Sequence, residues 1–340
     1  MECNRIGRRT VRLRRAPSVV SHACVGGKME RNGPLSAHFD ELDDDPFFAQ
    51  KTWELGESEL QRRAVGHALE KGSLSAKDLD FLFAGDLLNQ CIGSSFGLRD
   101  FGVPYFGIYG ACSTMGEGLA LGAMLIDGGF ATLVGAVTSS HFCTAERQYR
   151  APIPYGSQRT PTAQWTATAA GCCILGAQGQ GPYVTHAVCG RMVDLGITDA
   201  TNMGAAMAPA AIDTLEALFE DTHTRPQDYD LIITGDLGEL GHKAVSELME
   251  RDGYDMRNYT DCGLLLYDRA GQDMHAGGSG AGCSAAVLNG YLLRGFREGR
   301  LHRIVFAPTG ALLSPTSTFQ GGSIPSICHA VVLSDRKEGA

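Results

Sequence analysis

A chain of 340 residues with 44% hydrophobic and 20% charged content is long and apolar enough for one large core or two smaller ones, which excludes an intrinsically disordered protein. Its net charge of -9 argues against nucleic acid as a general partner. Eleven scattered cysteines include no C-x-x-C pair, so neither a disulfide framework nor a zinc site is indicated, and they fit a reducing compartment.

The start of the chain reverses this charge. Residues 1–15 carry Arg5, Arg8, Arg9, Arg12, Arg14 and Arg15 against Glu2 alone, leaving 23 basic and 37 acidic residues in the remainder. Such an arm either touches anionic lipid or is solvated, and solvation is the preferred reading. "APSVVSHACVGG" follows; it is too polar for the apolar region of a signal peptide and reads as a first strand. "DELDDDP" (40–46) gathers Asp40, Glu41, Asp43, Asp44 and Asp45. It lacks the Gly and terminal Glu of an EF-hand and reads as a solvated loop.

Self-similarity organises the rest. "LDFLFAGDL" (79–87) and "YDLIITGDL" (229–237) share an Asp, an apolar strand and a Gly-Asp-Leu turn, 150 residues apart. "ELQRRAVGHALEKG" precedes the first and "AIDTLEALFEDT" the second, both with helical apolar spacing. "GACSTMGEGLALGAMLIDGG" (110–129) and "GAGCSAAVLNGYLLRGF" (280–296) both open on small residues and continue as Gly/Ala-rich apolar helices. These run into the strands "ATLVGAV" and "RIVFAP". Asp127 and several glycines interrupt 119–137, which makes it helix, turn and strand instead of a membrane span. The chain therefore reads as an internally duplicated α/β protein, 1–180 and 181–340. Its apolar strands are long enough to be buried on both faces, and its two small-residue helices are expected to pack together at the centre.

A cysteine at the start of a small-residue helix in a duplicated α/β chain resembles the thiolase and ketoacyl synthase superfamily. The segments "AGDLLNQ", "GACSTM", "TSSH", "TAERQYR", "DLGIT", "MAPAA", "TGDLG", "DCGLL", "AGGSGAGCSA" and "TGALLSPT" are similar to the stage V sporulation protein AD family within it. The resemblance covers nearly everything after residue 33. It implies a thiolase-like fold, two βαβαβαββ halves forming a layered αβαβα sandwich. It also implies a non-catalytic role in sporulation and germination: binding dipicolinic acid, free or as its calcium chelate, for uptake into the forespore. The implied setting is synthesis in the cytoplasm and peripheral association with the spore inner membrane, beside the other stage V sporulation A membrane proteins. No further cofactor is implied, and a homodimer is expected because thiolase-like folds usually pair through the sheet of the first half.

Cys112 lies where an acyl nucleophile would, since a helix N-terminus favours a thiolate. Acyl transfer also needs a general acid/base and an oxyanion hole. The superfamily's second-half histidine is missing from "YDLIITGDLGEL", as is the Asn that follows in one branch, and His242 comes too late. The C-terminal Cys-x-Gly-Gly of degradative thiolases is also missing. Cys112 thus reads first as a wall of an inherited pocket, then as core packing or as a working nucleophile. His275 is a turn residue or a substitute base.

Dipicolinate's two carboxylates call for Arg and hydrogen-bond donors. The Pro-rich segment 144–165, expected to be a long irregular loop, supplies Arg147, Arg150 and Arg159 with Tyr149, Tyr155, Gln158 and Trp165. Calcium arriving with the ligand would want hard oxygens. Asp236 follows its strand and Asp261 opens "TDCG", expected at the head of another, so both are candidates to face the cavity. Asp86 is the repeat partner of Asp236 and could instead cap a helix. "AGGSGAG" (276–282) lacks the residues of a phosphate loop and reads as close packing beside the Cys112 helix.

Overall fold

The computed structural model describes residues 4–149 and 159–337. In the first half five strands are laid down, β1 (Ser18–Gly26), β2 (Phe81–Gly85), β3 (Tyr105–Gly107), β4 (Leu133–Ser140) and β5 (Ala169–Gly176). The second half repeats them as β6 (Tyr183–Val188), β7 (Leu231–Thr234), β8 (Tyr259–Asp261), β9 (Arg303–Ala307) and β10 (Ala330–Ser334). Both sheets have the spatial order third, second, fourth, fifth, first. In each, the fifth strand runs antiparallel to its two neighbours while the others are parallel. One pairing, Tyr183 opposite Ser18, joins first strand to first strand.

The helices follow from the same repeat. In the first half α1 (Trp53–Lys71) and α2 (Ile92–Leu98) cover one face of the sheet, and α3 (Thr114–Asp127) and α4 (Phe142–Tyr149) follow. In the second, α5 (Met203–Thr222) and α6 (Gly238–Arg251) cover the outer face. A last helix, α7, runs on from Ala281–Ala286 through the π-helical Val287–Leu292 to Leu293–Arg297. Three apolar clusters fill the gaps between layers. Leu60, Val65 and Ala68 of α1 meet Leu82, Val137 and Ile174. Met207, Leu215 and Leu218 of α5 meet Ile232, Val305 and Val332. Met115, Leu119 and Ile126 of α3 share the middle cluster with Ala285, Val287 and Leu288 of α7 and strands of both sheets. The result is the αβαβα sandwich, and each buried Leu, Ile or Met side chain contributes roughly 1.5–3 kcal/mol.

The two small-residue helices do touch, but their glycines are spent mainly on strands and loops. A Cβ on Gly116 would overlap the His329 carbonyl of the other half, and one on Gly282 would overlap the Ala169 carbonyl. Small residues therefore let each central helix lie against backbone. Other expectations also change. The basic arm is folded, with Arg5–Ile6 and Thr10–Arg12 pairing as a hairpin and the latter strand adding to β6. The acidic loop 40–46 is ion-paired: Arg63 to Glu41 and Asp43, His67 to Glu41, Lys71 to Asp40 and Arg31 to Asp44. The segment 144–165 begins as the end of α4, and Trp165–Thr166 forms a short strand with Gly278–Ser279. Among the described residues no helix is long and apolar enough to cross a membrane.

A buried polar knot holds α1 to its sheet. Glu57, fully buried, accepts from Ser139 Oγ (3.0 Å) and Thr144 Oγ1 (2.7 Å). Beside it Asp86 accepts from the Leu88 and Ser94 amides and the Ser94 hydroxyl. Burial and the Asp86 charge push the Glu57 carboxyl well above its usual range, so at neutral pH it is held protonated. Because the folded state keeps a proton that the unfolded state releases, this group makes stability fall as pH rises from about 4.5 through neutrality. Glu57→Gln should flatten that fall and leave the variant roughly 1–3 kcal/mol more stable than the parent at pH 8. Urea unfolding from pH 5 to 8 checks this; parallel pH profiles for the two proteins would contradict it.

Candidate functional site

Cys112 sits in a single 3-10 turn, Ala111–Ser113, that leads into α3. The turn is sharp because Ala111 is left-handed, with φ +50°. It is pressed from the second half by Gly310, where any Cβ would overlap the Gly110 carbonyl. Hydrogen bonds lock it: Ser113 Oγ donates to Gly110 O (2.7 Å) and Thr114 Oγ1 to Ala111 O (2.6 Å). Leu87, Ala111 and Ala281 pack around Cys112, with Tyr149 and Leu312 at the edge. Only 9% of Cys112 is exposed. Tyr149 is fixed by donating to the Leu87 carbonyl and by its contact with the Tyr109 hydroxyl (3.3 Å).

The partner of the thiol is Asp236, in the turn after β7 where the catalytic pattern carries histidine. Asp236 is wholly buried. Its carboxylate accepts from Gly280 N–H (2.9 Å), Ser279 Oγ (3.1 Å) and Thr309 Oγ1 (3.3 Å), and it lies close enough to Cys112 for each group to shift the other's proton affinity. Its own carbonyl accepts from Gln164 Nε2 (2.6 Å). Burial is the main reason its pKa is pushed up to about 7, and the Asp261 charge adds to it. The same carboxylate, after burial, raises the Cys112 thiol well above its ordinary value. The helix dipole is outweighed, and the proton rests on sulfur. A thiol so held is a poor nucleophile at neutral pH.

The other predicted residues separate. Asp261 ends β8 and caps the next turn instead of opening a strand. It accepts from Thr234 Oγ1 (2.7 Å) and the amides of Leu237, Gly238 and Gly263 (3.0 Å each). Four donors engage both of its oxygens, a structural task that leaves it poorly suited to a ligand. Arg147 lies on α4, pairs with Glu54 and stacks over Trp53, so it is held by α1 and not turned to Cys112. Arg159 donates to the Asp273 carboxylate (2.6 Å) and stacks over Trp165. His275, at φ +50°, contacts Thr160 O (2.6 Å) and Asp273 (3.2 Å), which makes it a turn residue of that cluster. His242 stacks on Tyr259. Arg150, Tyr155 and Gln158 lie outside the described residues. "AGGSGAG" does pack beside Cys112, through Ala281 and the Gly280 amide.

Sequence reasoning named Cys112 and Asp236 but not their proximity. The residues it missed are Ser279 and Thr309, which position the carboxylate, and Gln164, which holds its main-chain carbonyl. The available signal was an acidic residue standing in the turn that should hold histidine. Among the described residues no group of three His, Cys, Asp or Glu is arranged to hold a metal ion.

Replacing Asp236 by Asn removes the charge that raises the thiol. Alkylation of Cys112 by iodoacetamide, followed by mass spectrometry across pH 7–10, should be slow in the parent and speed up by about tenfold in Asp236→Asn, one pKa unit's worth of thiolate. A parent thiol that reacts half-maximally near pH 7 would contradict the assignment.

Known proteins agree with this architecture. Residues 7–334 match the family of stage V sporulation protein AD (SpoVAD). The chain is 44% identical over 323 residues to stage V sporulation protein AD of Bacillus subtilis, covering 95% of each protein. Among solved structures, 3-oxoacyl-[acyl-carrier-protein] synthase III of Aquifex aeolicus is similar at TM-score 0.59 and 14% identity, over 94% of this chain and 99% of that one. A variant of OleA from Xanthomonas campestris is similar at TM-score 0.62 and 12% identity, over 95% and 99%. The fold is thus that of the thiolase-like condensing enzymes, and the chain belongs to the stage V sporulation protein AD family.

Proposed function

We propose that this sporulation-family protein binds dipicolinate beside Cys112, for uptake into the forespore, and carries out no acyl transfer. The observation that supports this reading is the wholly buried Asp236 carboxylate in the turn after β7, bonded to the Gly280 amide, whose charge adds to burial in raising the Cys112 thiol. Leu87, Tyr149, Ala281 and Leu312 pack around Cys112, and in this reading they are the wall against which one face of a flat ring would rest. In this reading the protein works peripherally at the spore inner membrane with the membrane proteins of its operon class. It pairs with a second copy through β3, an edge strand beside which Phe96, Tyr105, Phe106 and Tyr109 are exposed.

Asp236 sets the pH dependence. Ionised, it repels a dianion; protonated, it does not. With its pKa at about 7, free dipicolinate should bind progressively more weakly as pH rises above 7, by up to about tenfold per unit. The neutral calcium chelate should be affected much less, and calcium is here cargo. Calorimetric titration at pH 6, 7 and 8 is the test. Saturable binding that weakens in Cys112→Trp, with a pH slope lost in Asp236→Asn, is expected. No binding of either form would sink the reading.

The rival reading, acyl transfer by Cys112, has one observation in its favour, the cysteine's position at the start of α3. It requires an acyl adduct on Cys112 after incubation with acyl-CoA. Mass spectrometry is expected to find the thiol unmodified, and an adduct would favour the rival.

A further inference from the structure

We infer that the arginine hairpin at the start of the chain and Phe130 together form a face that docks onto an anionic phospholipid bilayer. This gives the peripheral membrane association proposed above a surface, but it does not depend on what the Cys112 site binds.

The hairpin is held largely through its backbone, which leaves the side chains of Arg5, Arg8 and Arg12 outside. The amides of Arg8, Arg9 and Thr10 donate to Asp221 at the end of α5 (2.8, 3.0 and 3.0 Å). The Arg15 amide and the Asn4 side chain donate to Asp127 at the end of α3 (2.6 Å each). Gly7, at φ +53°, makes the turn where a Cβ would overlap the Asp221 carboxylate. Arg9 spends its guanidinium on Asp213. Arg5, Arg8, Arg12 and Arg15 are exposed, and among the described residues no carboxylate pairs with them. In a protein whose remainder carries 23 basic and 37 acidic residues, four ordered arginines without carboxylate partners stand out against the overall charge.

An aromatic lies in the same place. Phe130, in the turn after α3, is 75% exposed, and the Arg15 guanidinium rests against neighbouring Gly129. Cations spread over the outside of a hairpin, with an exposed ring beside them, suit a continuous anionic interface into which a ring can dip. The placement also has a geometric consequence. Cys112 precedes the first turn of α3 and the hairpin is tied to its last; 14 residues at 1.5 Å each separate them by roughly 20 Å. A docked molecule keeps its Cys112 end away from the lipid.

Co-sedimentation of the full chain with vesicles tests this. The parent is expected to sediment with vesicles of equal parts phosphatidylglycerol and phosphatidylcholine, to be released by high salt, and to ignore phosphatidylcholine alone. Arg5→Gln, Arg8→Gln, Arg12→Gln and Arg15→Gln combined should weaken binding at least about tenfold. These changes leave the anchoring amides intact, and an unchanged unfolding midpoint verifies folding. Phe130→Ser should weaken binding severalfold with the salt response kept. Equal sedimentation of parent and quadruple variant would overturn the proposal. So would binding to phosphatidylcholine alone, or capture by polyglutamate without capture by vesicles, which would mark a protein partner. Dipicolinate titration without lipid should be the same for parent and variant, so failure of either proposal is distinguishable from failure of the other.

Discussion

The buried carboxylate of Asp236 is the interaction on which the two halves of the site depend. Its carboxylate receives the donors of Ser279, Gly280 and Thr309 from the second half, its main-chain carbonyl receives Gln164 from the first, and its charge raises the proton affinity of the Cys112 thiol. A charge taken out of water at such cost is tolerated only when every lone pair is occupied. The hydrogen bonds that occupy it also fix the start of α7 against the turn after β7. The chemistry follows from the packing. A group buried so deeply is also one whose pKa approaches neutrality, and its charge suppresses ionisation of the nearby thiol.

The fold is tuned for this close approach. Gly310 against Gly110, Gly116 against His329 and Gly282 against Ala169 each bring backbone onto backbone where a methyl group would not fit. These contacts let a central helical layer lie between two sheets while keeping Cys112 at a seam. In a condensing enzyme such a seam would hold a base within reach of sulfur. Here it holds an acceptor that leaves the proton where it is. On the reading proposed here, the residue in that one turn separates reversible holding from covalent chemistry on a shared scaffold.

Much of this was legible in the sequence because the fold is duplicated. The paired "LDFLFAGDL" and "YDLIITGDL" segments located β2 and β7, and the small-residue runs located α3 and α7. The repeat misled in one respect: Asp86 and Asp236 are equivalent by position, yet Asp86 closes a local turn while Asp236 binds the segment before α7, 44 residues along the chain. What could not be read was tertiary. Glu54 claims Arg147 and Asp273 claims Arg159, partners that no local spacing announces. The hairpin at the start pairs with β6, some 175 residues along the chain, and polar composition alone had suggested a solvated arm. Asp261 looked like a ligand because nothing in "TDCG" reveals that three amides and a hydroxyl converge on it.

The central claim is that the centre around Cys112 and Asp236 holds a ligand and performs no acyl transfer. The most direct measurement is a crystal structure of the chain grown with calcium dipicolinate. The account predicts the pyridine ring beside Cys112, walled by Leu87, Tyr149, Ala281 and Leu312, with sulfur unmodified and Asp236 still bonded to Gly280. A thioester on Cys112, or dipicolinate bound elsewhere with this wall empty, would contradict it.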